Sequence, residues 1–232
     1  SVLVYCLDDV TVVENLAKTT YLGKKLAYSL SESADAKVEN ENLVSVSGFR
    51  MPIQDLLIKG KHNVLNTLAG VLVAQEMELS EEQVKNGLTS VQAIEHRLEK
   101  VKEVDGVEYI NDSKATNVDA TFYALDAMQK PVVWIVGGVD KGNDYSMLNN
   151  LVADKVKGIV CMGTDNQKLL DAFKGKVKVL KEVGGADEAV DVAKSLASQG
   201  DVVLLSPACA SFDLFKNYED RGIQYKQAIN KL

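Results

Sequence analysis

Seven consecutive residues, Asn111-Asp112-Ser113-Lys114-Ala115-Thr116-Asn117, place a carboxylate, an ammonium, two hydroxyls and two amides side by side in this 232-residue chain. They follow a short apolar run, Val107 to Ile110. They precede a pattern in which Val118, Phe122, Leu125 and Met128 recur near the helical period of 3.6, so they belong on a strand-to-helix turn. Ser113, Thr116 and Asn117 are N-cap candidates, and the unpaired backbone N–H groups of a helix start favour an anionic ligand. Lys114 adds a mobile positive charge at the same place. An ordinary capped turn would need one of these residue types; their accumulation points to a site.

Two further stretches have related chemistry, Gly137-Gly138-Val139-Asp140-Lys141-Gly142-Asn143-Asp144 and Ser206-Pro207-Ala208-Cys209-Ala210-Ser211-Phe212. Each joins small residues, which let backbone approach a ligand, to hydroxyls or a lysine that could hold an anion. Each follows a strand pattern, and in open α/β sheets ligands bind beyond the carboxyl ends of the strands. The loop after Val177 to Leu180 has no such cluster. Gly137-Gly138 is followed three residues later by Lys141, not by the G-x-G-x-x-G order, which disfavours a nicotinamide enzyme. No G-x-x-x-x-G-K-[ST] occurs, so this chain alone has no P-loop to cradle ATP phosphates. Ser206, Ser211 and Cys209 are nucleophile types, but His62 and His96 read as a cap and a turn residue, so covalent catalysis is not expected. The histidines and scattered carboxylates show no metal-ligand spacing.

The elements that must carry these loops read as follows. Val2 to Leu7 is a buried strand with no start methionine before it, so a longer parent chain is expected; Asp8 to Lys18 is a helix with Val12, Val13, Leu16 and Ala17 on one face, and Lys25 to Leu30 a strand. Ser31 to Asn42 reads as a polar loop. Leu43 to Ser47 and Phe49 to Ile58 form a hairpin around Gly48, with Pro52 assigning the second strand to an edge or a bulge. Lys61 to Glu78 is a helix, and a second starts at Ser80 with a capping box and stops at Gly87. Leu98 to Val104 and Val107 to Ile110 form a hairpin across Asp105-Gly106. Beyond it strands (Val132 to Val136, Gly158 to Met162, Val177 to Leu180, Val202 to Leu205) alternate with helices (Val118 to Met128, from Ser146, Gln167 to Phe173, Ala186 to Ser198, Tyr218 to Leu232). The fold class is therefore α/β: an open, mostly parallel Rossmann-like sheet with flanking helices, preceded by a different unit. The boundary is expected between Ser90 and Glu95, dividing the chain into 1–92 and 93–232.

Composition bounds the function classes. At 46% hydrophobic and 25% charged residues the chain is ordinary globular material with a real core. Lys+Arg 26 against Asp+Glu 33 gives a net charge of −7 with no basic run, which argues against nucleic acid or an anionic membrane as partner. Cys6, Cys161 and Cys209 are odd in number, far apart and without CxxC spacing, as for reduced core thiols in a cytoplasmic protein. No apolar run approaches the roughly 20 residues that span a bilayer. Nothing in the sequence sets the oligomeric state, and a monomer is the default.

NDSKATNVDAT resembles the C-terminal-domain signature of the Mur ligases, enzymes of cell-wall precursor synthesis. GKHNVLN is similar to the family's GxHNxxN segment, GGVDKGNDY to its GGxxK loop, and LLSPACASFDLFKNYEDRG to the segment of the members that add D-glutamate. The resemblance implies a three-domain enzyme of which this chain holds the tail of the central ATPase domain and the whole amino-acid-binding C-terminal domain, the P-loop and the main Mg2+ ligands lying upstream. It implies ATP-driven amide formation, in which the carboxylate of UDP-N-acetylmuramoyl-L-alanine is phosphorylated and the amine of D-glutamate attacks the acyl phosphate. Carried over by position, Asn63 and Asn66 face adenine; Arg97 and Asp112 meet the ribose and phosphates. Lys114 steadies charge near the transferred phosphoryl group, and Thr116, Lys141, Ser211, Phe212 and Tyr218 surround D-glutamate. Tyr218 stands where these ligases carry Phe, keeping a ring and adding a hydroxyl. On residue types alone His62 and Asn63 read better as caps, and Arg97 with Asp112 as a structural ion pair. The rival readings are another Mur or folylpolyglutamate-type ligase with a different amino acid, and a non-catalytic α/β binding module; without a P-loop this chain by itself is expected not to catalyse.

Overall fold

Short strands that bury one face against a single long helix make up the first part of the chain. A computed structural model describes residues 1–57, 60–90 and 94–232, and it divides into two compact units, Ser1–Ala93 and Ile94–Leu232. The expected 92/93 boundary falls on residues 91–93, outside the described residues. In the first unit β1 (Val2–Cys6), α1 (Val10–Ala17) and β2 (Lys24–Ser29) form a parallel βαβ turn. β3 (Ala36–Glu39), β4 (Asn42–Ser45) and β5 (Arg50–Pro52) complete a five-stranded sheet in the order β1-β2-β3-β4-β5. α2 (Lys61–Glu76) covers it with Val64, Leu68, Val71 and Leu72. α3 (Glu81–Ser90) begins with a reciprocal capping box, Ser80 N–H donating to Gln83 Oε1 at 2.8 Å and Gln83 N–H to Ser80 Oγ at 3.2 Å.

Several expectations for this unit are corrected. The stretch from Ser31 to Asn42 is not all loop: β3 lies within it, its fully buried Ala36 and partly buried Val38 alternating with Lys37 and Glu39. β1 is an edge strand and only partly buried, and α1 buries none of its residues, although Asp9 caps it by accepting the Val12 N–H at 3.0 Å. The second hairpin strand ends at Pro52, where a 3₁₀ turn over Ile53–Asp55 takes over; Ile58 lies outside the described residues. α3 runs through Gly87 to Ser90, since a helical glycine costs only about 1 kcal/mol relative to alanine. Cys161 and Cys209 are core residues, whereas Cys6 is only partly buried.

The second unit starts with a hairpin, β6 (Glu99–Val104) and β7 (Val107–Asn111), joined by Asp105 and Gly106 at φ 52° and 74°; two positive φ values give the turn whose twist suits paired strands. It continues with α4 (Val118–Ala127), β8 (Val132–Val136), a 3₁₀ turn over Ser146–Leu148, α5 (Asn149–Lys155), β9 (Val156–Met162) and α6 (Gln167–Phe173). β10 (Val179–Val183), α7 (Ala186–Leu196), β11 (Val202–Leu205) and α8 (Tyr218–Asn230) complete it. The strand order is β10-β9-β8-β11-β7-β6, parallel except for β6. β8 and β11 read VVWIV and VVLL and are buried at every position, as strands covered on both faces require. Trp134, Leu148 and Phe173 centre the core on one face, Tyr109, Val190 and Tyr225 that on the other. β11 lies between β7 and β8, so the carboxyl ends of these three strands are neighbours, and the three polar loops leave from them.

Candidate anion-binding site at the strand ends

The three loops are tied together by a residue on none of them. Arg221, on α8, is completely buried and its guanidinium reaches all three. Nε donates to Ser113 Oγ at 3.0 Å and Nη2 to the Ser113 carbonyl at 2.9 Å; Nη1 donates to the carbonyls of Gly137 at 3.3 Å and Cys209 at 3.2 Å. Burial pulls the guanidinium down to about 10 and leaves it charged at neutral pH. A planar fork of donors is the one side chain that can satisfy acceptors spread over three loops. Ser113 Oγ passes the link on, donating to the Tyr218 carbonyl at 2.7 Å and so tying the first turn of α8 to the first loop.

The second and third loops are also zipped directly. Val139 N–H donates to the Ala210 carbonyl at 2.8 Å in an isolated antiparallel bridge, and Gly137 N–H donates to the Pro207 carbonyl at 3.0 Å. Gly138 is required by this approach: a Cβ there would stand 2.1 Å from the Ala210 carbonyl oxygen. Lys141 lies two residues after Val139 and Ser211 one residue after Ala210, on the two loops that the bridge joins. Lys141 is exposed; Ser211 is buried; Phe212 is 69% exposed.

On the first loop Asp112 is 5% exposed. Its Oδ1 accepts the Leu98 N–H at 3.2 Å and its Oδ2 the Ser206 hydroxyl at 2.8 Å. Burial pushes this carboxyl up to about 7, against the opposing pull of Ser206, Leu98 and the nearby Arg97 charge. Arg97 is exposed and makes no ion pair with Asp112 among the described residues, so the two are not the structural pair that their types suggested. Lys114 is partly exposed, and its ammonium lies 5.4 Å from the centre of the Tyr218 ring, a cation–π distance. Thr116 is partly buried. Of the three cap candidates it is Asn117 that caps α4, accepting the Ala120 N–H at 2.8 Å, which leaves Ser113 to Arg221 and the Thr116 hydroxyl out of the cap.

Asp112, Lys114, Thr116, Lys141, Ser211 and Tyr218 thus stand on loops and a helix start joined by one guanidinium, with Arg97 two residues before the hairpin. Asn63 and Asn66 belong to the other unit, on the first turns of α2, buried and exposed respectively. The cap of α2 is Gly60, without a side-chain cap bond, so neither His62 nor Asn63 is the cap. The residues that the loop patterns did not reveal are Arg221 and His96. His96 is 3% exposed at φ 65°, its carbonyl accepting the Lys114 N–H at 3.0 Å and its Nδ1 lying 2.9 Å from Asn111 Nδ2. A signal for both was present at Gly222: a glycine inside a helix pattern marks a close approach, and a Cβ there would lie 2.2 Å from His96 Nδ1. Chemically, the site offers cations at two strand ends, a hydroxyl, an aromatic wall and a carboxyl that changes charge near neutrality, a set suited to holding two separate anionic groups. Among the described residues no group of three His, Cys, Asp or Glu could hold a metal by itself, and no helix is long and apolar enough to cross a membrane.

Comparison with known proteins bears on what those anions are. Residues 96–209 match the family profile described as "Mur ligase, glutamate ligase domain". The chain is 47% identical over 234 residues to a UDP-N-acetylmuramoylalanine–D-glutamate ligase of Christiangramia forsetii, covering 99% of this chain and 53% of that protein. It is 42% identical over 236 residues to the ligase of the same name from Porphyromonas gingivalis, covering 99% and 52%. The chain spans about half the length of the curated relatives it matches. Among solved structures it resembles MurF from Acinetobacter baumannii at a TM-score of 0.69 and 19% identity, covering 98% of this chain and 52% of that one. It also resembles MurF from Thermotoga maritima in complex with ADP, at a TM-score of 0.68 and 15% identity, covering 100% and 54%. At those identities the structures speak to the fold alone.

Proposed function

Since this chain belongs to the Mur ligase family, we propose that it is the C-terminal portion of a ligase that joins D-glutamate to UDP-N-acetylmuramoyl-L-alanine, driven by ATP. Residues 1–92 are the end of the central ATPase domain and 93–232 the amino-acid-binding domain of a cytoplasmic, monomeric enzyme. The observation that carries the reading is the meeting of three strand-end loops on Arg221, together with a Lys141 ammonium on one of them that makes no hydrogen bond or ion pair among the described residues. An incoming D-glutamate must exchange water for fixed donors at its side-chain carboxylate, and Lys141, Thr116 and Ser211 supply one charge and two hydroxyls from adjacent strand ends. Tyr218 and Phe212 give that pocket its aromatic wall. On the nucleotide side Asn63 and Asn66 take adenine, Arg97 and Asp112 take the ribose and phosphates, and Lys114 stabilises the charge that develops as the substrate carboxylate is phosphorylated. The cation–π contact of Lys114 with Tyr218 joins the two halves, because the lysine that faces the acyl phosphate rests on the ring that faces the attacking amino acid. Mg2+, when bound with ATP, would neutralise phosphate charge; among the described residues no group of three His, Cys, Asp or Glu offers it a closed set of ligands.

Lys141→Ala in the full-length ligase tests the assignment. A hydrogen bond to a charged group is worth about 1.5–3 kcal/mol, so KM for D-glutamate should rise by roughly one to two orders of magnitude. KM for ATP should move much less. An equal loss for both substrates, or turnover of L-glutamate or diaminopimelate as efficient as that of D-glutamate, would overturn the proposal.

A further inference from the structure

Asp140 is the neighbour of Lys141 in the chain and the obvious partner for its ammonium, yet its carboxylate is engaged elsewhere. Oδ1 accepts the N–H groups of Gly142 at 2.7 Å and Asn143 at 3.0 Å and the Lys168 ammonium at 3.1 Å; Oδ2 accepts the Tyr145 hydroxyl at 2.7 Å. Lys168 comes from α6, so the counter-charge reaches the loop from a different element. The groups that Asp140 orients reach onward to the third loop. Asn143 Nδ2 donates to the Ala208 carbonyl at 3.0 Å, and the Tyr145 hydroxyl lies 3.2 Å from Cys209 Sγ.

From this geometry we propose that Asp140 and Lys168 are a positioning pair for amino-acid binding: Asp140 folds the loop around Lys141, and Lys168 neutralises Asp140 so that the Lys141 ammonium stays available for the incoming carboxylate. The inference rests on the reading of Lys141 as the D-glutamate ligand. Two features support it beyond the contacts themselves. Burial alone would push the Asp140 carboxyl up, but the bonds from Tyr145, Lys168 and the two N–H groups outweigh it and hold the group below the ordinary Asp value, so it is ionised whenever the enzyme works. An ionised carboxylate next to Lys141 with no other cation would compete with substrate for the same ammonium. Lys168 is half-exposed on its helix, and its ion pair with Asp140 is the contact through which it reaches this loop.

Three variants of the full-length ligase test this: Lys168→Gln, Asp140→Asn and the double variant. An exposed pair is worth about 0.2–1 kcal/mol, so Lys168→Gln should raise KM for D-glutamate about two- to five-fold and leave KM for ATP unchanged. Asp140→Asn keeps an amide oxygen for the two N–H bonds but cannot accept from the Tyr145 hydroxyl with its NH2 group, so it should raise KM for D-glutamate less than Lys168→Gln does. Adding Asp140→Asn to Lys168→Gln should bring the D-glutamate KM down to that of Asp140→Asn alone, because a neutral amide no longer draws Lys141 away. A purely structural role would instead make the two losses add. Additive losses, an unchanged KM in Lys168→Gln, or an equal rise for ATP overturns the inference. Lys141→Ala measured alongside separates the two levels: if it raises KM for D-glutamate while Lys168→Gln does not, the pairing fails and the substrate reading stands; if it changes nothing, the substrate reading fails.

Discussion

Asp112 is the residue at which site and stability pull in opposite directions. Burial raises its carboxyl from an ordinary Asp value to about 7, so between about pH 4 and 7 the folded chain holds a proton that the unfolded chain has released. The folded state then binds more protons than the unfolded one, and stability falls as pH rises through that window until, above about pH 7, the full penalty of a buried carboxylate applies, on the order of 4 kcal/mol. Asp112→Asn removes that penalty and keeps the local bonds, since the Ser206 hydroxyl, 3.1 Å from Thr121 Oγ1, can turn its proton there and accept from the new amide. Thermal unfolding should show Asp112→Asn more stable than the parent at pH 8 and nearly equal to it at pH 5, with ligase activity reduced in the full-length enzyme. A stability gap that does not widen with pH would show that the carboxyl is not held up by burial. The loop chemistry at this position was readable because it is local, seven residues in a row. The direction of the charge effect was not, because it comes from burial by the folded unit, which outweighs the bonds from Leu98 and Ser206, themselves 14 and 94 residues away in the chain.

At the scale of elements, α8 is the part whose role the chain pattern concealed. Strands whose both faces are covered announce themselves by composition: Val132 to Val136, Val202 to Leu205 and the Gln167 to Phe173 helix came out to the residue. β3 was lost because four residues with two lysine and glutamate side chains, set in a polar stretch, look like loop until the neighbouring strands are in place. α1 and β1 looked buried because apolar periodicity reports which face could be covered, not whether something covers it. Arg221 was hidden more deeply: a charged residue on a mixed-polarity helix reads as solvated surface, and its partners Ser113 and Gly137 are 108 and 84 residues away. Arg221→Lys keeps the charge but cannot reproduce a fork, so several of its hydrogen bonds to loop acceptors are lost. It should destabilise the second unit by about 2–4 kcal/mol in denaturant titration. Hydrogen exchange should quicken together at the amides of Asp112, Gly137 and Val139, each of which pairs with the third loop or the end of β11. If only one loop loses protection, Arg221 is not their common tie.

At the scale of the whole molecule the two units are separate compact bodies, and the second, Ile94–Leu232, is of ordinary domain size. Expressed alone, 94–232 should unfold in a single cooperative transition, whereas 94–200, without β11 and α8, should show none; a cooperative transition in the shorter piece would disprove the dependence. That dependence follows from the strand order. β11 is the latest strand in the chain and yet occupies the middle of its sheet, with β7 on one side and β8 on the other. As the polypeptide leaves the ribosome, the β6–β7 hairpin and the β8–β9–β10 layer are two half-sheets facing an empty slot, and long-range pairing of this kind is slow to form. The three loops have no common centre until that slot is filled and the next helix brings in its guanidinium. Binding competence therefore does not accumulate during synthesis; it arrives in one late event, and a ribosome that stops short of α8 releases a chain with nearly all of the site's residues and none of the site.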